Sequence, residues 1–272
     1  MTGPTLGSLL PDGLKSGLTP AEKTVLERTQ NGEWADLRSG KEEDDKPENA
    51  GKWGPDRTMR AEFLYWLCTD PDVSKRIHAK GVRISGVKIT GALDFEDADL
   101  LHPLALVGCA IPDGIILVDA RTRSLSLSGS HTGRVSADGL KTAGSVFLKD
   151  IHAEGAVRLL GADIGGNLTC TGATFSNPKG EALNADRLKT AGSVFLRDGF
   201  HAEGAVRLLG ADIGGQLSCT GAALKNLKGA VLNAEGMQVN GALFWTDMQD
   251  KPQGSVSLMH VRVGQLVDDK KS

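Results

Sequence analysis

The chain has 272 residues, 40% of them hydrophobic, enough for a continuous core in one elongated domain or in a domain with a small appendage. Its 31 Lys and Arg against 34 Asp and Glu leave a net charge of -3, too near neutral to attract nucleic acid or an anionic membrane surface. No apolar run reaches the roughly 18 residues of a membrane span, and MTGPTLGSLLPDG lacks the basic region and long apolar run of a signal peptide, so the expected location is the cytoplasm.

Residues 1 to 80 read as a helical N-terminal cap region. Thr19-Pro20-Ala21-Glu22 places a cap and an N1 proline before AEKTVLERTQNG, a short helical pattern that Asn31-Gly32 stops. The polar, charged and Pro-containing run KEEDDKPENAG, residues 41 to 51, is expected to be a solvated acidic loop. A second helix is expected over residues 56 to 68, because Met59, Phe63, Trp66 and Leu67 recur at spacings of 3 and 4. That face is expected to pack as a cap on the open end of the region beyond residue 80. The alternative is a partner-binding face built from Phe63, Tyr65 and Trp66 with Trp34 and Trp53.

From residue 81 the texture changes to a recurring phrase, a glycine or polar residue followed by alternating apolar positions and a turn. GVRI at 81, PLALV at 103, SLSLS at 124, GSVFL at 144 and 192, GAVRL at 155 and 204, and GALFW at 241 are examples among seventeen. The steps are mostly 10 to 14 residues, with 11 typical. Alternation over four or five residues bounded by Gly, Asn or Asp is a short half-buried strand, and such strands at a fixed step make a solenoid. Two phrases, about 22 residues, make one coil. Val157, Leu159 and Ile164, then Leu168, Cys170 and Phe175, are the inward positions of successive half-coils. Glycine, at 35 residues, is well above its average share of about 7%, and aromatics are only 4%, so the core must be thin and aliphatic.

The string HAEGAVRLLGADIGG occurs twice unchanged, at 152 to 166 and 201 to 215. Copies 49 residues apart lie about two coils apart on the same face, which spreads identical groups along a line. A catalytic site instead needs different groups converging on one point, so the string reads as a structural brick. Cys68, Cys109, Cys170 and Cys219 show no CxxC pair and read as small core hydrophobes, with Cys170 and Cys219 too far apart for a disulfide.

Other chemistry is weakly supported. His131, in SGSHTGRV, would be a general base if Asp119 or Asp138 approached it, and the simpler reading is an exposed turn histidine. Asp94, Glu96, Asp97 and Asp99 read as a solvated rim, since no Gly-bounded cation loop is present. GADIGG lacks the GxGxxG spacing and a following helix to bind a pyrophosphate. No catalytic residue, cofactor or metal ligand is therefore assigned.

ADIGG at 162 and 211, and ADLLH at 98, resemble the A-(D/N)-L-x-x phrase of pentapeptide-repeat proteins. The resemblance implies a right-handed parallel β-helix with four sides, here a variant with longer turns over residues 81 to 267, followed by a charged tail over 268 to 272. The expected fold is thus all-β, a quadrilateral solenoid with an N-terminal α-helical cap. The lead-in MRAEFLYWLCTDPDVSKRIHAKGVRISGVKITGALDF is similar to a broad group of uncharacterised bacterial proteins, some of which carry an oxidoreductase label.

Some pentapeptide-repeat proteins imitate DNA and inhibit gyrase. Residues 81 to 272 carry 19 Lys and Arg against 20 Asp and Glu, which argues against a DNA-like surface. The expected function is a cofactor-free protein-interaction or assembly scaffold, with the DNA mimic and a cofactor-dependent oxidoreductase as alternatives. GQLVDDKKS shows no cap beyond the last strand, so the C-terminal end is expected to form a homodimer through Phe244, Trp245, Met248, Met259 and Leu266, with head-to-tail filaments as runner-up.

Overall fold

The computed structural model describes residues 5–15 and 17–269; of the charged tail, 270 to 272 lie outside the described residues. The architecture is a parallel β-solenoid of about eight coils with a helical N-terminal region. One column of partners, Val82, Leu104, Leu125, Val146, Leu168, Val194, Leu217, Leu243 and Leu266, climbs the whole rod. Its ends are 184 residues and eight steps apart, so a coil averages 23 residues.

All seventeen phrases lie on strands, and they occupy two of four sides. The other two sides are built from segments that had looked like turns. The coil from 146 to 164 is an example. Val146–Phe147 forms its first side, His152–Glu154 the second, Val157–Arg158 the third and Asp163–Ile164 the fourth. Two-residue strands carry little hydrophobic periodicity of their own, which is why the second and fourth sides are hard to see in sequence. TFSNPKG and ALKNLKG likewise belong to the long strands Thr174–Asn184 and Ala223–Asn233, whose extra residues bulge out of register with their neighbours. Each bulge is closed by an asparagine, Asn177 Nδ2 donating to Glu181 O at 2.8 Å and Asn226 Nδ2 to Ala230 O at 2.7 Å.

Glycine is abundant because the corners and the stacking both require it. The corner between the third and fourth sides holds a left-handed residue in every coil: Asp97, Asp119, Gly139, Gly161, Arg187, Gly210, Gly236 and His260. The closing Gly165-Gly166 of the first brick meets the preceding coil directly. A Cβ on Gly165 would come within 2.4 Å of Ala143 O, and one on Gly166 within 2.5 Å of Ser145 Oγ. Gly214 and Gly215 repeat this against Ala191 O and Ser193 Oγ.

The core is a continuous aliphatic column in which Val157, Leu159, Ile164, Leu168, Cys170 and Phe175 are all buried. Its N-terminal end is closed by helices. Helix α1, Pro20–Asn31, begins with the Thr19/Glu22 capping box and ends at left-handed Gly32. The expected second helix starts later than residue 56. Thr58–Arg60 pairs in parallel with Lys88–Thr90, so Met59 lies on a strand and helix α2 spans Ala61–Thr69. Ala35–Asp36 also pairs with Ile84–Ser85, so residues before 81 supply rungs to both sheets as well as helices.

Glu22 ties these parts together. Fully buried, it accepts from the backbone N–H groups of Thr19 and Arg60, and its ion pair with the Arg60 guanidinium is 2.9 Å long. The acidic loop is not simply solvated. It carries the short helical turns Glu42–Asp45 and Pro47–Lys52 and is anchored by Arg57, which pairs with Asp45 at 2.8 Å, donates to Asp44 O and lies 3.8 Å over the Trp53 ring.

Candidate functional site

The parallel register converts sequence spacing into columns of neighbouring side chains. On the second side one column reads Lys88, Ala110, His131, His152, Thr174, His201 and Ala223. His131 and His152 therefore sit on adjacent coils, with ring centroids 4.7 Å apart. Glu154, two residues beyond His152 on the same outward face, places Oε1 3.0 Å from His131 Nε2. The intervening Thr132 and Ala153 point inward and are buried.

The carboxylate beside His131 is thus Glu154, and neither Asp119 nor Asp138. Asp138 is occupied elsewhere, accepting from Arg158 at 2.6 and 3.0 Å and from Leu160 N at 3.0 Å. The second brick repeats this arrangement with Arg207, Asp186 and Leu209 N. Duplicated Arg158 and Arg207 each clamp a carboxylate of the preceding coil, the role expected of a structural unit. The His131–His152 juxtaposition depends on the coil length, and the 21-residue spacing between them was the available signal.

His131, Glu154, Thr132 and Gly133 line a cavity of about 270 Å³, walled on its other side by Pro47, Glu48, Ala50 and Gly51. The acidic segment anchored by Arg57 therefore overhangs the histidine column. Among the described residues, His131, His152 and Glu154 form a group whose ligating atoms all lie within 4.8 Å of one another.

The cysteines offer no nucleophile. All four are buried and free, and burial pushes the Cys109 and Cys219 thiols up to about 12, with Cys68 and Cys170 also driven upward. Asp94, Glu96, Asp97 and Asp99 are all exposed, with Asp99 paired to Arg121 at 3.4 Å. In GADIGG the preceding coil occupies the space beside Gly165 and Gly166, and a two-residue strand follows in place of a helix.

No protein-family model, curated protein or solved structure matches this chain. Function must be read from the surface itself, and the aromatic face divides. Phe63 and Trp66 are buried in the continuous core, so they form part of the cap and are unavailable to a partner. Trp53 is half-buried beneath Arg57, while Trp34 and Tyr65 are exposed. Tyr65 stacks on Phe95 at 5.8 Å, and Arg83 lies 5.4 Å from the Trp34 ring.

The C-terminal end also differs from expectation. Met259 and Leu266 are exposed there, Phe244 and Trp245 are half-buried, and Met248 is buried, so it cannot contribute to an interface. The larger exposed side chains include Val256 and Leu258, inward positions of the GSVSL phrase. Column by column, Leu217 and Leu243 are buried whereas Leu266 is 56% exposed, and Val206 and Leu232 are buried whereas Val256 is 39% exposed. Val256, Leu258 and Leu266 border a cavity of about 440 Å³ with Leu243 and Trp245.

Proposed function

We propose that this chain is a non-enzymatic scaffold of a bacterial cytoplasm, a long-turn relative of pentapeptide-repeat proteins, that assembles through its C-terminal end with a second copy of itself. The observation that carries the reading is the exposure of the core column at Val256, Leu258 and Leu266. These side chains are about half exposed, so covering each is worth roughly half of the ~1.5–3 kcal/mol of a full burial, and among the described residues the strands Gln253–Ser257 and Arg262–Asp268 each have a paired neighbour on one side only.

A second copy is favoured as the occupant because the exposed surface combines apolar core positions with unpaired strand edge, the two features that another such end supplies. A two-fold arrangement is favoured over a head-to-tail filament because the opposite end is covered by α2, whose Phe63 and Trp66 are already buried. The near-neutral charge supports a protein surface over a DNA mimic.

The test is the mass in solution by light scattering at micromolar concentration. Twice 28.6 kDa for the wild type and a monomer for Leu258→Glu combined with Leu266→Glu are expected. A monomeric wild type, or a double variant that still dimerises, overturns the proposal.

A further inference from the structure

We propose that His131, His152 and Glu154 bind a divalent transition-metal ion of the zinc class at the rim of the cavity beneath residues 47 to 51. The donor set is two imidazoles and one carboxylate, a combination suited to zinc and its neighbours and poorly suited to calcium or magnesium, which prefer all-oxygen shells.

The geometry is close to what coordination needs. Zinc bonds of about 2.0–2.2 Å at tetrahedral angles place ligand atoms roughly 3.3 Å apart. His131 Nε2 and Glu154 Oε1 are already 3.0 Å apart, and all three ligating atoms fall within 4.8 Å of one another. Small side-chain rotations bring them onto one ion, because the three residues stand on adjacent rungs with their backbones held by the parallel ladder. Three protein ligands leave a fourth position for water or a small anion, facing the cavity of about 270 Å³ that Glu48 also lines.

The duplicated brick provides an internal control. His201 and Glu203 repeat His152 and Glu154, yet the coil before them carries Thr174 where the coil before His152 carries His131. Glu203 instead lies 3.3 Å from the Ser176 hydroxyl and 3.9 Å from Lys225 Nζ. Identical sequence therefore forms a three-ligand cluster in one place and a two-residue pair in the other. The difference arises from the neighbouring coil.

Calorimetric titration of the full chain, stripped with chelator and dialysed, with zinc alone tests the proposal. One ion per chain is expected. His131→Ala and His152→Ala should each weaken binding at least tenfold, whereas His201→Ala should leave it unchanged. Cobalt(II) should give the visible absorption of a low-coordinate histidine site, lost in His131→Ala. Thermal melts identify any variant that fails to fold, for which His131→Gln or His152→Gln is substituted. No zinc binding at millimolar concentration, binding unaffected by both histidine variants, or equal weakening by His201→Ala would each overturn the assignment.

Discussion

At the N-terminal end of the solenoid the first rungs are closed by α2 and held by the buried Glu22–Arg60 pair, whereas at the C-terminal end Val256, Leu258 and Leu266 stand open. Both ends carry the same inward pattern of aliphatic residues. The difference teaches that a solenoid coil has no inside of its own. An inward side chain becomes core only when another coil or a helix lies over it, so the two ends should respond oppositely to mutation.

The largest effect is expected at the closed end. Glu22→Ala removes the buried partner of Arg60 and the acceptor of two backbone N–H groups at once, and should destabilise the fold by about 3–5 kcal/mol in urea unfolding. A loss below about 1 kcal/mol would show that the cap is not a keystone. Next comes Phe63→Ala, a buried aromatic lost beneath the cap, with an expected cost of about 3–5 kcal/mol minus any collapse of α2 onto the cavity. At the open end Leu266→Glu should change the unfolding free energy of the monomer by less than about 0.5 kcal/mol, the range of ordinary surface substitutions. A large loss there would mean that the last coil is already covered.

Smaller effects compare regions within the rod. Arg158→Ala and Arg207→Ala remove partly exposed clamps and should each cost about 0.2–1 kcal/mol, with the larger loss at Arg207, which also pairs with Glu181 at 3.1 Å where Arg158 is 4.0 Å from it. Equal losses would show that Glu181 adds nothing to the second clamp. The thiols should be unreactive toward a disulfide reagent in the folded chain and titrate as four once it is unfolded, since burial raises every one of them.

The smallest effect concerns pH. The side-chain hydrogen bond from Arg38, with further help from Ser85, holds the Asp36 carboxyl well below its ordinary value. A carboxylate depressed on folding contributes stability that is full above its unfolded pKa and lost as pH falls through the folded one. The melting-temperature difference between wild type and Asp36→Asn should therefore be greatest near neutrality and shrink in acid, and a difference independent of pH would exclude the pairing.

Much of the fold was legible because it follows from local rules. The Thr19/Glu22 box, the helix stop at Gly32 and the seventeen apolar phrases all depend on spacing within a few residues. The second and fourth sides were hidden because pairs such as Lys141–Thr142 show no alternation to detect. The ordered acidic segment was hidden for a different reason, since its anchor, Arg57, lies outside the run.

The same division applies to the candidate site and to the open end. By itself the sequence determined that the chain would coil, that the twice-used string was a building unit and that the cysteines were core. Only tertiary structure decided that His131 stands beside His152 and Glu154, while the matching His201 faces Thr174, and that Phe63 is core whereas Leu266 is not. The physical reason is that neighbours along a strand are set by covalent order, whereas neighbours across coils depend on the summed lengths of four sides and their bulges. Insertions that lengthen one coil by a few residues leave the local pattern intact and change which side chains meet.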